Sequence, residues 1–164
     1  MNYFDNALKR CLIPSKTVDM NAYNYNILKP QDYQKVLHFC HNKSKPNRLA
    51  IIGKDHYEWV LRLCRTSLAH SITRDIRFYM YKQLYSLFSG FSNTQNINDV
   101  DTLVICGIQD SSDEKNKAIL LSLLSDAISH DMNILISAVS SVELSEVCQS
   151  MWSIIDSSFI PVKV

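Results

Sequence analysis

Apolar residues occur along the chain in two patterns that alternate. Five segments are short continuous apolar runs, the pattern of strands buried on both faces; they read "RLAIIG", "IRFYMY", "TLVICGI", "NILISAV" and "FIPVKV". Before the first run and between successive runs the apolar residues have helical spacing, over residues 31–43, 56–70, 82–88, 114–130 and 142–152. This alternation predicts an α/β fold with three layers, in which a parallel five-stranded sheet carries helices on both faces and has the strand 102–106 at its centre.

Residues 1–30 show neither pattern, and they end at Pro30, a helix-start signal in "KPQD". We therefore predict an irregular N-terminal arm over residues 1–30 and a single α/β domain over residues 31–164. The apolar residues of the arm, among them Tyr3 and Phe4, are expected to be exposed and to dock on a partner together with the helix 31–43. Deletion of residues 1–22 is then expected to leave the thermal melt nearly unchanged.

The composition fits a single globular domain of 164 residues, of which 46% are hydrophobic. No apolar run approaches the roughly 18 residues of a membrane span, and the N-terminus "MNYFDNALKR" does not look like a signal peptide. The five cysteines are odd in number and have no paired spacing, which favours reduced thiols. We expect a cytoplasmic protein that does not contact a membrane.

The net charge of +1 conceals two halves of opposite sign. Residues 1–82 contain 14 Lys and Arg against 6 Asp and Glu, whereas residues 83–164 contain 3 against 10. A basic set in the first half, Arg62, Arg65, Arg74 and Arg77, lies close to aromatic residues and is a candidate contact for DNA or an acidic partner. A solvated charged surface is the alternative interpretation.

The segment "LAIIGKDHYEWVLRLC", residues 49–64, has the element order of a phosphate-binding loop, namely an apolar strand, Gly53 and an amphipathic helix. In the motif G-x-x-x-x-G-K-[ST], backbone N–H groups and the lysine hold phosphates. Counted from Gly53, Glu58 takes the second glycine position, Trp59 the lysine position and Val60 the hydroxyl position. A carboxylate and an indole there oppose phosphate binding, so the motif predicts a degenerate nucleotide site.

A second strand, "DTLVICGIQD", should end in the acidic residues that hold Mg²⁺ in such a site. It ends instead in Cys106 and Gly107, and neither supplies the oxygen ligands that Mg²⁺ prefers. We therefore expect no catalytic residue and no nucleotide cofactor. Cys106 with a distant histidine would suit a thiol enzyme, although its apolar strand favours a core thiol.

Two further motifs have a functional and a structural interpretation. The segment "HFCH" at residues 38–41 offers metal-ligand types, but helical spacing turns Cys40 away from the two histidines and no second ligand pair follows, so we expect no metal site. The hexapeptide "QLYSLF" resembles the Q-x-x-[SD]-L-F peptide that docks on the bacterial sliding clamp, with Gln83, Leu87 and Phe88 as anchors. Packing of the same apolar residues on the sheet is the alternative.

From about residue 22 to residue 164 the chain resembles the ATPase core of bacterial replicative-helicase loaders and replication initiators, the DnaC-like and DnaA-related AAA+ proteins. The strand "VDTLVICG" matches the family pattern V-D-x-L-x-I-D-D at Val100, Asp101, Leu103 and Ile105, and Ser137 in "ISAVSS" takes the place of the sensor residue. The matching order of segments is "NYNIL", "QDYQKVLHFC", "RLAIIG", "IRFYMYKQLYSLF", "DVDTLVICGIQD" and "NILISAVSSVEL".

The resemblance implies a P-loop NTPase (AAA+) core and a role in DNA replication. The chain departs from the family in the phosphate loop, the acid pair and the arginine finger, since no arginine follows Arg77, and the C-terminal lid is not expected after "FIPVKV". We expect a pseudo-ATPase that is a monomer or dimer and recruits or regulates a replication protein: the replicative helicase, an initiator ATPase or the sliding clamp. The alternatives are a cryptic enzyme, either an unorthodox ATPase or a thiol hydrolase, and a regulator that contacts DNA.

Overall fold

The computed structural model describes residues 2–14, 28–41, 47–89, 100–110 and 113–164. Within these ranges the helices are α1 (Tyr3–Arg10), α2 (Pro30–His41), α3 (His56–His70), α4 (Leu84–Phe88), α5 (Glu114–Ser129), α6 (Ser141–Val147) and α7 (Trp152–Ser158). The strands are β1 (Arg48–Ile52), β2 (Ile76–Met80), β3 (Thr102–Ile108), β4 (Asn133–Ala138) and β5 (Ile160–Lys163). Strands and helices alternate as predicted.

The five strands form one sheet in the order β2-β3-β4-β1-β5, and every neighbouring pair is parallel. This confirms the predicted α/β fold with a parallel five-stranded sheet. The middle strand is β4, and not the strand 102–106, which lies in β3 between β2 and β4. Both strands are continuously apolar because both are interior. Their composition therefore does not show which of the two is the middle strand.

Two hydrophobic cores lie on opposite faces of the sheet. Successive residues of β3 point to opposite faces, so that Leu103 and Ile105 pack into the core under α4, α5, α6 and α7. Val104 and Cys106 pack into the other core, under α1, α2 and α3. A strand covered on both faces must be apolar at consecutive positions, which is why these strands show no alternation.

The N-terminal segment is not irregular over residues 3–10, where it forms α1. The prediction of an irregular arm is wrong there because Phe4, Ala7, Leu8 and Cys11 have the i, i+3, i+4, i+7 spacing of an apolar helical stripe. Ala7 and Leu8 are each 2% exposed and Cys11 is fully buried. The segment is therefore part of the core. Contrary to the prediction from the sequence, deletion of residues 1–22 is expected to change the thermal melt. The rest of the predicted arm up to residue 27 lies outside the described residues.

The residues after α1 run beside the outer strand β2. The backbone N–H of Phe78 donates to the Cys11 carbonyl oxygen at 3.2 Å. The Arg77 guanidinium donates to the Arg10 carbonyl at 2.9 Å, and Arg10 donates to the Ile72 carbonyl at 2.8 Å. These contacts supply partners for the outer edge of the sheet, which β3 does not reach.

Two predicted helices differ in detail from the structure. The segment 82–88 is a 3-10 turn, Tyr81–Gln83, followed by the short α4. The segment 142–152 is divided into α6 and a second 3-10 turn, and α7 follows it. Short helices of one or two turns have weak periodic signals, because one turn contains only one or two core positions.

None of the helices in the described ranges has both the length and the apolar character needed to cross a bilayer. All five cysteines are buried, and none of them forms a disulfide.

Candidate site at the carboxyl ends of the strands

The turn between β1 and α3 is too short for the phosphate-binding motif. Only Gly53, Lys54 and Asp55 separate the strand from the helix, which begins at His56. The motif positions counted from Gly53 therefore fall inside α3, where Trp59 is 2% exposed and Val60 is fully buried. These two side chains pack into the core and do not line a loop.

Gly53 is required for packing against the chain end of β5. Its φ is +147°, and a Cβ atom at this position would overlap the backbone oxygen of Val164. Val164 is held there because its N–H donates to the Ile52 carbonyl at 2.9 Å. The strand-to-helix glycine predicted from the sequence is thus present, but close backbone approach explains it in this structure.

Substitution Gly53→Ala is expected to lower the free energy of unfolding by about 2 kcal/mol, because the added methyl group combines a clash with an unfavourable backbone conformation. Urea denaturation measures the change. Gly107→Ala is the matched control: its φ is +78°, but the nearest atom to an added Cβ is 3.7 Å away, so it bears only the backbone cost of about 1 kcal/mol. A Gly53→Ala variant as stable as Gly107→Ala would contradict the packing explanation.

Ser137 at the end of β4 joins three elements at this edge of the sheet. Its Oγ accepts from the Gly107 N–H at 3.0 Å and donates to the Cys106 Sγ at 3.4 Å. His56 Nδ1 lies 3.0 Å from the same Oγ, within hydrogen-bonding distance. The structure thus brings together the predicted residues Cys106, Gly107 and Ser137, and adds His56, which the sequence analysis did not single out.

The electrostatics of this cluster do not favour nucleophilic chemistry. Burial raises the pKa of the Cys106 thiol to about 11, against an opposing hydrogen bond from Ser137. Burial also lowers the pKa of His56, despite the nearby carboxylates of Glu58 and Glu143. Near neutral pH the thiol is protonated and the imidazole is neutral. A protonated thiol with no exposed surface is a poor nucleophile, which agrees with the interpretation of Cys106 as a core thiol.

A cavity of about 230 Å³ opens beside this cluster. Its lining residues are His56, Tyr57, Met80, Lys82, Gly107, Ile108, Gln109 and Val139. Lys82 is the one lysine or arginine among them, and none is Asp or Glu. These walls do not provide the carboxylate oxygens that hold Mg²⁺ beside a phosphate chain.

The four candidate arginines do not form a common exposed surface. Arg74 is 2% and Arg62 is 3% exposed, and the Arg62 guanidinium lies 5.5 Å from the centre of the Trp59 ring. Arg65 is half-buried, and Arg77 donates to the Arg10 carbonyl. Burial therefore removes Arg62 and Arg74 from the proposed contact with DNA or an acidic partner, because neither guanidinium reaches the surface.

Arg74 has a structural role. Its guanidinium donates to Asp101 Oδ1 at 3.3 Å and to the hydroxyl of Thr102 at 3.1 Å, both at the start of β3. It also donates to the carbonyls of Phe39 and Cys40 at 3.1 and 3.2 Å, near the end of α2. One buried cation thus connects a helix end with a strand start.

The candidate partner-binding residues have mixed exposure. Tyr3 is 84% exposed, whereas Phe4 is half-buried against the core. In the clamp-like hexapeptide Gln83 is exposed and Leu87 is 40% exposed, but Phe88 packs edge-to-face on the Tyr79 ring with 5.3 Å between centroids. The two apolar anchors therefore do not lie on one exposed surface.

The described residues contain no group of three or more His, Cys, Asp or Glu side chains that could hold a metal ion. In "HFCH", Cys40 is buried while His38 and His41 are exposed, and the ring of His41 contacts that of His70 with 3.6 Å between centroids.

Comparison with known proteins identifies solved structures of the same architecture, although no protein-family model and no curated protein matches the sequence. The structure of the DnaC helicase loader superposes with a TM-score of 0.65 and 12% identity, covering 88% of this chain and 94% of that one. The structure of DnaI gives a TM-score of 0.60 and 14% identity over 97% and 89% of the two chains.

A third structure is that of the replication initiator DnaA bound to AMPPCP and single-stranded DNA. Its TM-score is 0.67 at 13% identity, and the match covers 93% of this chain but 51% of that one. Identities this low establish architecture alone. The chain therefore has the parallel α/β fold of the DnaC, DnaI and DnaA structures.

Proposed function

We propose that the protein is a non-catalytic AAA+-like adaptor in DNA replication, which works in the cytoplasm and binds a replication protein without using ATP. The observation that carries the proposal is its match to a helicase loader over nearly the full length of both chains, combined with a nucleotide region that lacks the residues for phosphate and Mg²⁺. The partner is the replicative helicase, an initiator ATPase or the sliding clamp.

The chemistry of the strand ends supports the absence of ATPase activity. The short turn after β1 leaves no loop to surround a phosphate chain, and Val164 lies against Gly53. Trp59, in the position of the phosphate-binding lysine, is buried in the core. At the end of β3, Cys106 and Gly107 stand where acidic residues would hold Mg²⁺. A triphosphate would have to lose its hydration there without gaining matching charges.

The alternatives have less support. A thiol hydrolase needs an accessible thiolate, whereas Cys106 is buried and its pKa is raised to about 11. A DNA-contacting regulator would use an exposed basic surface, but two of the four candidate arginines are buried.

The adaptor function predicts partner binding that is independent of ATP. Calorimetry should show no binding of ATP with Mg²⁺ tighter than about 1 mM, whereas the purified helicase, initiator or clamp of the same organism should bind with a Kd of about 10 µM or below. Addition of ATP and Mg²⁺ should leave that Kd unchanged. DnaA, whose structure contains AMPPCP, is the positive control for nucleotide binding.

Two surface variants determine whether the clamp is the partner. Leu87→Ala removes an exposed anchor of the hexapeptide, while Tyr85→Ala removes a side chain of similar exposure on the same helix that is not an anchor. If the clamp is bound through the hexapeptide, only Leu87→Ala weakens binding. A micromolar Kd for ATP, or no binding to any of the three proteins, would overturn the proposed function.

A further inference from the structure

A second concave surface lies away from the strand ends discussed above, between α2 and the neighbouring strands β1 and β5. It is a groove of about 440 Å³. Its lining includes Lys35, His38 and Phe39 of α2, Arg48 and Leu49 of β1, and Ile160 of β5. None of these residues belongs to the degenerate nucleotide site.

Arg48 is a cation in this groove whose described anion, Asp131, is distant and exposed. Its side chain is 12% exposed, and its NH2 group lies 3.8 Å from Asp131, whose side chain is 77% exposed. At that distance the pair is a weak ionic contact and not a hydrogen bond. Arg48 Nε is buried and finds no acceptor among the described residues. A buried donor without an acceptor is costly, so this guanidinium is incompletely paired, and a carboxylate that enters the groove would replace the weak Asp131 contact at its NH2 group.

The other walls of the groove combine positive and apolar character. Lys35 lines the groove and its ammonium is paired with Asp32 Oδ1 at 3.1 Å, and His38 is exposed on the same helix. Phe39 and Leu49 provide an apolar base, and each is 2% exposed. Ile160 on the outer strand is 41% exposed at the rim, so an apolar group that enters would cover it.

We propose that this groove binds a peptide segment of a partner protein in which a carboxylate lies next to a bulky apolar side chain. The carboxylate accepts from Arg48, and the apolar side chain packs on Leu49 and Ile160. A concave surface with an apolar base suits a side chain better than a nucleic-acid backbone, which is recognised by exposed cations and flat stacking surfaces.

The groove would be one contact of the adaptor proposed above, and it rests on that proposed function only for the identity of the partner. Peptide binding can be measured with no replication protein present. Failure of the peptide test therefore leaves the adaptor function standing, and failure to bind the helicase, initiator or clamp leaves the groove standing.

The test uses fluorescein-labelled nonapeptides with Asp or Glu next to Leu, Ile or Phe at the centre and Gly or Ser elsewhere. Fluorescence anisotropy with the full chain should give a Kd below about 0.5 mM for this set. A matched set with Asn or Gln in place of the acid, and one with Ala in place of the apolar residue, should each bind at least about fivefold more weakly.

Variants locate the site. Arg48→Met keeps the apolar stem, removes the charge and should weaken binding about tenfold, whereas Lys54→Met removes an exposed cation at the opposite end of β1 and should change nothing. If Arg48→Met does not fold, Ile160→Glu is the second variant, because it places a repelling carboxylate at the exposed rim. Equal binding of the acid and amide sets, or binding unaffected by Ile160→Glu, would overturn the proposal. Binding of oligo(dT) in place of the peptides, with loss in Arg48→Met, would assign the groove to nucleic acid and also overturn it.

Discussion

A protein that lacks residues 2–13 is expected to lose its cooperative thermal transition. The deletion removes α1 and the segment beside β2, with the buried residues Leu8, Cys11 and Ile13. Burial of a large aliphatic side chain contributes about 1.5–3 kcal/mol, so the loss approaches about 5 kcal/mol, comparable with the entire stability of many domains. It also leaves the core under α3 open to water and removes the Cys11 contact of Phe78.

Circular dichroism during heating measures the thermal transition and tests this prediction. Two point variants establish that burial is the cause. Leu8→Ala should lower the free energy of unfolding by about 2–5 kcal/mol. Tyr3→Ala, on the same helix but 84% exposed, should change it by less than about 0.5 kcal/mol. A truncated protein that melts like the full chain would show that α1 does not contribute to the core.

The second large effect is expected at Arg74. Arg74→Met should lower the free energy of unfolding by about 2–5 kcal/mol, because it leaves the buried contacts to the carbonyls of Phe39 and Cys40 without their donor. Asp101, whose side chain is 32% exposed, keeps hydrogen bonds from Asp75 and Thr102. Arg74→Lys should restore little, since an ammonium group cannot reproduce the planar fork that reaches several acceptors at once.

Urea denaturation measures the effect, and Arg77→Met is the matched control. Arg77 lies in β2, its side chain is 28% exposed, and it donates to the Arg10 carbonyl and forms a weak ion pair with Asp75 at 4.0 Å. Its loss should cost less than about 1 kcal/mol. Equal effects of the two methionine variants would contradict the structural role of Arg74.

The architecture could be predicted from the sequence because interior strands of a parallel sheet must be apolar on both faces. "TLVICGI" and "NILISAV" carry that signal without interruption. The N-terminal helix was less evident, although Phe4, Ala7, Leu8 and Cys11 have helical spacing. The segment is short and rich in polar residues, so its helix depends on contacts with α3 that no local pattern reveals.

The candidate site could be predicted only in part. The sequence placed Gly53 at a strand-to-helix turn and Cys106 in a buried strand, and the structure agrees with both. The length of the turn followed as well, because the helix predicted over residues 56–70 has the bounds of α3. His56 was missed because its contact with Ser137 spans 81 residues, and only the common edge of parallel strands brings the two together.

The contact between the N-terminal segment and β2 has a consequence for synthesis on the ribosome. The residues that cover this strand are synthesised before it, because their hydrogen-bonding partners lie 62–67 residues later in the chain. At a synthesis rate of about 5–20 residues per second, β2 is completed several seconds after the N-terminal segment. During that interval α1 has no core in which to bury its apolar stripe, so these side chains stay exposed to water on the nascent chain. Translation that starts downstream of Ile13 would yield a sheet in which the outer edge of β2 is uncovered, and such an edge promotes aggregation.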